Sequence, residues 1–115
     1  MTPERDALVK LVTEFWRLLK LTERALVDTH AEKTASLSAQ LRYSLNRLQT
    51  ICAYGGLRLI TYDRDGYEPN LPVTIANEDE ASSYENAVIE RTVEPTIICD
   101  GQIVAMGKVF LKERA

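Results

Sequence analysis

The side chains best suited to metal ligation or nucleophilic chemistry are few: one histidine, His30, and two cysteines, Cys52 and Cys99, in 115 residues. His30 stands where a first helix should end, so it reads as a solvated side chain near the negative end of the helix dipole. Cys52 continues an apolar helical stripe and reads as a small core residue. Cys99 flanks a turn where it could be exposed, but no second cysteine or histidine lies at metal-ligand spacing. Asp63-Arg-Asp-Gly-Tyr-Glu68 superficially matches a calcium loop. Its glycine comes too early, and the twelfth position is Thr74 rather than glutamate, so the segment reads as a turn. Glu78-Asp79-Glu80 reads as a solvated loop that a basic partner could use. Gly55-Gly56 stands alone after a helix and makes no phosphate cradle. No nucleophile or acid/base pair emerges, so the expectation is a protein without catalytic residues, metal or cofactor.

The elements that carry these residues divide at one place. All five glycines lie at position 55 or later, and Pro3 is the only proline before Pro69. Residues 1–56 carry a charge of +2 and residues 57–115 a charge of −5. The boundary predicts a helical segment over 1–55 and a β-rich segment over 56–115. Apolar residues make up 45% and charged residues 27%, a globular composition. The net charge of −3 leaves no electrostatic footprint for nucleic acid. No apolar run spans a membrane, and the first residues lack the pattern of a secretion signal. The expectation is a soluble, cytoplasmic protein without nucleic-acid or membrane partners.

Thr2 can cap a first helix, with Pro3 at its first position and Glu4 and Asp6 in its first turn. Leu8, Val12, Phe15, Leu19 and Leu26 recur at helical spacing, with Leu11, Leu18 and Ala25 on one flank and Val9, Trp16 and Val27 on the other. A second helix restarts near Thr34 or Ser36 and runs to Cys52, with Gly55 as a left-handed stop. A short connection predicts an antiparallel hairpin. The apolar girdle of the first helix exceeds what one neighbour can bury. The expectation is therefore a homodimer, two hairpins pairing into a four-helix bundle through Leu8, Val12, Phe15, Trp16 and Leu19. Packing of that surplus on the chain's own second half is the alternative.

The second half reads as short strands over 57–62, 73–76, 86–93, 96–99, 102–106 and 108–111. Asp65-Gly66 and Asp100-Gly101 supply tight turns, and 77–83 a polar turn. The fold class expected is α+β, a helical hairpin followed by a small all-β wing.

This order of segments resembles the GrpE family, the nucleotide exchange factors of DnaK-type chaperones. The resemblance lies in Leu18-Leu-Lys-Leu-Thr-Glu-Arg-Ala-Leu26, in Leu45-Asn-Arg-Leu through Gly55-Gly-Leu-Arg-Leu-Ile60, and in Asp65-Gly-Tyr-Glu-Pro-Asn-Leu71. Val73-Thr-Ile-Ala76, Ala87-Val-Ile89 and Asp100-Gly-Gln-Ile-Val-Ala-Met106 follow with nearly the family's spacing. The resemblance implies a homodimeric helical bundle with two β-wings, one of which contacts the ATPase domain of a DnaK-type chaperone and promotes release of ADP. It implies neither cofactor nor covalent chemistry.

The chain departs from the family at several positions. The family's long N-terminal stalk is expected to be missing, its usual histidine after Asp-Pro-Asn is Pro72, and its Lys-Gly-Tyr step is Pro95-Thr-Ile97. The wing's basic contact residues fall where this chain has Gln102 and Ala105, and residues 92–107 hold no Lys or Arg. Partner contact is accordingly expected at Gln102, Val104 and Met106, through shape and apolar area. A dimeric interaction or scaffold module that keeps the fold without the exchange role is the alternative.

Overall fold

The structure, a computed structural model, describes residues 2–27 and 34–115. It is α+β: two N-terminal helices precede two small three-stranded sheets. The chain divides into two compact units, Met1–Leu57 and Arg58–Ala115.

Helix α1 spans Pro3–Val27, and the expected cap is in place: the Arg5 N–H donates to Thr2 Oγ1 at 3.1 Å. Helix α2 spans Thr34–Tyr54 and packs against α1. Its last turn tightens, with the Gly55 and Gly56 N–H groups donating to Cys52 O and Ala53 O. The left-handed residue is Gly56, at φ 75°, rather than the expected Gly55. The tightened turn uses Gly55 first and moves the stop one residue on.

The β unit contains most of β1 (Leu57–Ile60) and all of β2 (Val73–Ile75), the one-turn helix α3 (Glu78–Ala81), β3 (Ala87–Glu94), β4 (Thr96–Cys99), β5 (Gln102–Ala105) and β6 (Gly107–Glu113). One sheet has the order β1-β4-β5 and the other β2-β6-β3. In the second, β6 is central, parallel to β2 and antiparallel to β3. Tyr62, Ile89, Val109 and Leu111 form its buried core, with Ile60, Leu71, Val73 and Tyr84 packed around them. Two irregularities in the β3–β6 register keep useful cross-strand pairs together: Arg91 lies 4.2 Å from the Phe110 ring centroid, and Lys108 pairs with Glu94 at 3.8 Å.

Two local expectations are corrected here. The polar stretch 77–83 is not a simple turn but contains α3. The Asn77 side chain pairs with both backbone groups of Leu111, its amide donating to the carbonyl and accepting from the N–H, and so anchors the start of α3 to β6. The tight turn expected at Asp65-Gly66 lies earlier, with Arg64 at φ 69° and the Asp65 N–H donating to Tyr62 O. Gly66 instead bridges Val88. Side-chain and main-chain bonds to β3 decide this: Asp63 accepts from the Thr92 N–H, Arg64 donates to Ile89 O, and Ile89 donates to Asp65 O.

Candidate functional site

The residues with reactive chemistry do not converge. His30 lies outside the described residues. Cys52 is buried, and burial pushes its thiol above the ordinary value. Cys99 is also buried rather than exposed beside its turn, with Sγ directed to Asp100 Oδ2 at 3.6 Å. Among the described residues, no group of three or more His, Cys, Asp or Glu side chains is placed to hold a metal ion. Nor is any helix among them long and apolar enough to cross a membrane.

Two exposed apolar surfaces stand out instead, one in each unit. The first is on α1, whose apolar residues fall into two stripes, each with steps of three and four. Val9, Val12, Trp16 and Leu19 are buried, Trp16 to 1% exposure. Leu8, Leu11, Phe15 and Leu18 form the parallel stripe one residue earlier, about 100° around the helix, and they are exposed: Leu11 to 66% and Leu18 to 62%. The five residues expected to make one dimer surface are therefore split by the fold. Leu8 and Phe15 remain accessible. Val12, Trp16 and Leu19 are buried within the chain, so the surplus apolar area lies with the flanking Leu11 and Leu18. Spacing alone could have separated the stripes, because 8-11-15-18 and 9-12-16-19 each fit a heptad seam. Nothing in the residue types says which of the two the chain itself covers.

The second surface is the β4–β5 hairpin. Asp100 and Gly101, at φ 52° and 77°, form a two-residue turn of the mirror-image type that strand twist favours, as the Asp-Gly pair predicts. Strand β5 is an edge of its sheet. Its pairing with β4 slips between Ile98↔Ile103 and Ile97↔Ala105, leaving Val104 as an extra, bulged residue. That slip changes the exposure of one of the expected trio, Val104, while Gln102 and Met106 are exposed as expected. Strict alternation would put Gln102, Val104 and Met106 on one face. The bulge breaks the alternation: Gln102 lies opposite the buried Cys99, Val104 is half-buried, and the accessible apolar side chains are Ile103 (52%) and Met106 (50%). Gln102 remains exposed at the turn. Ile103 is not legible as an accessible residue because a bulge has no sequence signal in Gln-Ile-Val-Ala-Met.

Chemically, this edge can pair backbone N–H and C=O groups with another strand or pack its two apolar side chains on a surface. It carries no charged residue between Asp100 and Lys108. Comparisons with protein-family models, with curated proteins and with solved structures find no significant match.

Proposed function

We propose that this chain is a GrpE-like homodimeric co-chaperone, which binds the ATPase domain of a DnaK-type chaperone and promotes loss of ADP. One observation carries the reading: a helix pair that keeps an apolar heptad stripe exposed is followed by a small β unit with an uncharged apolar edge. A helix pair followed by a small β unit is the arrangement the family resemblance implies; the uncharged edge departs from its basic wing. The α1 stripe supplies the self-association surface, and the β5 edge supplies the contact with the chaperone.

The mechanism needs no reactive group. A protein that binds the open, nucleotide-free ATPase domain better than the closed one shifts the population toward the open form. Linkage makes the effect reciprocal: whatever factor the dimer takes from ADP affinity, ADP takes from the dimer's affinity. Stopped-flow release of a fluorescent ADP analogue from the chaperone of the same cell is the test. Acceleration that saturates with added dimer supports the proposal, and an unchanged rate at saturation overturns it.

A second reading has its own observation. Residues 92–107 hold no Lys or Arg, so the β4–β5 surface lacks the basic groups that the family resemblance would place there. A dimeric scaffold that keeps this architecture and binds another partner fits that departure. It predicts binding in a native pull-down without any effect on ADP release.

A further inference from the structure

The geometry points to a second binding site, on the α3 side of the β unit, that takes a lysine or arginine side chain from a basic polypeptide segment. A cleft of about 380 Å³ opens there between α3, β2, the chain before β3 and the loop at Tyr67. Tyr67 and Tyr84 line it, Leu111 lies at its core side, and Glu78 and Glu85 contribute carboxylates. Aromatic walls with two carboxylates are the chemistry that recognises an alkyl stem ending in a cation. The stem covers apolar surface, the head meets ring faces, and the carboxylates accept its N–H donors.

The charge pattern gives an independent argument. From Asp65 through Glu90 the chain carries seven carboxylates and no Lys, Arg or His. Among the described residues no ion pair engages Glu78 or Glu85, and no basic side chain lines the cleft. Arg114 is exposed; its backbone N–H donates to Asn86 O, and its guanidinium lies towards Gly66. The cleft is also built on anchored elements. Asn77 fixes α3 to Leu111, and the Glu85 and Asn86 N–H groups both donate to Glu113 Oε1 at 3.3 Å. The site is distinct from the β5 edge and does not rest on the exchange reading.

The test is an amide NMR titration of the full-length chain with a capped Gly/Ser peptide carrying lysine at alternate positions. A counterpart with norleucine in place of lysine serves as the uncharged control. The expected result is saturable shifts at Tyr67, Ala81, Tyr84 and Ala87, weakening with added salt. The norleucine peptide, and the double variant Glu78→Gln with Glu85→Gln, should each bind about tenfold more weakly, a loss of one decade in Kd. Equal binding of the norleucine peptide would overturn the proposal, as would shifts that map elsewhere or never saturate. Should the double variant fail to fold, the peptide pair and the salt series still decide.

Discussion

The Tyr62 hydroxyl donates to Thr96 Oγ1 at 2.8 Å, in the interior of the β unit, and Thr96 is fully buried. The same Thr96 hydroxyl donates to Pro72 O at 2.9 Å and accepts from the Gly107 N–H at 3.2 Å. One side chain thus uses its donor and both acceptor positions, and it ties β4 in one sheet to the chain flanking β2 and β6 in the other. The approach is close enough to require glycine opposite: a Cβ on Gly107 would meet Thr96 Oγ1 at 2.7 Å and Glu94 O at 3.1 Å.

Thr96→Val keeps the shape of the side chain and removes all three bonds. The Gly107 N–H keeps its bond to Pro72 O at 3.0 Å, so the Tyr62 hydroxyl is the partner left unsatisfied and a loss of about 1–3 kcal/mol is expected. Tyr62→Phe removes one bond and should cost about 1 kcal/mol. Urea unfolding of both variants and of the pair checks this. The double variant should lose less than the two singles added, because they share one bond.

This connection was not legible in the sequence. Leu57-Arg-Leu-Ile, Val73-Thr-Ile and Thr96-Ile-Ile-Cys announce strands through β-branched residues, and Thr2-Pro3 announces a helix start, because those signals are local. Thr96 looks like one more strand residue, since its partners Tyr62, Pro72 and Gly107 are distant in the chain. Arg64 carries no local signal for the same reason: bonds to β3 hold it at positive φ, and the neighbouring Asp-Gly pair is the stronger turn signal. At the candidate site, apolar excess on α1 was readable from periodicity. Its division into a covered and an open stripe depends on which face meets the rest of the chain.

The two stripes make opposite predictions. Leu18→Asp alters an exposed position and should leave the folded chain within about 0.5 kcal/mol of its original stability. It should nevertheless abolish self-association, since it places a charge where an apolar seam must close. Trp16→Ala should destabilise the fold itself by about 3–5 kcal/mol. Light scattering and circular dichroism separate the cases. The original chain should scatter at twice its 13.0 kDa mass, and Leu18→Asp at the single-chain mass with its helicity kept. A single-chain mass for the original protein would refute the dimer.

Burial raises the Cys52 thiol, and the sign of the resulting pH dependence follows. The folded state holds its proton to higher pH than the unfolded state does. The stabilisation is complete below the ordinary thiol range and is lost as pH rises through the raised folded value. Unfolding midpoints measured from neutrality into that alkaline range should fall more steeply for the original chain than for Cys52→Ala. A thiol reagent should also modify Cys52 in the native protein far more slowly than after unfolding. Parallel pH curves for the two chains would contradict the expectation.

Gly101→Val tests the hairpin alone. Gly101 has open space around its Cβ position, so sterics with neighbours do not oppose the change; its φ of +77° does. A β-branched residue held there costs at least about 1–3 kcal/mol of local strain. Amide exchange should accelerate over residues 97–105 while protection within α1 and α2 is unchanged. Loss of protection in the helices would show that the hairpin is not an independent element.

The β5 edge carries the functional prediction. Its accessible apolar side chains are Ile103 and Met106, and the bulge at Val104 turns the expected neighbour partly inward. If exchange depends on this edge, Ile103→Asp and Met106→Asp should each slow ADP release at subsaturating dimer, whereas Val104→Ala should act mainly through stability. Removing one buried apolar side chain from an interface costs about 1.5–3 kcal/mol, so an effect of roughly tenfold or more is expected. With no basic residue between Arg91 and Lys108, the rate should respond weakly to ionic strength. Leu18→Asp then separates dimerisation from contact. A monomer with an intact β5 edge should still bind the ATPase domain, so retained binding would assign the contact to one wing. Exchange that survives both Ile103→Asp and Met106→Asp at full rate would remove β5 from the mechanism, even if the chain proves to be an exchange factor.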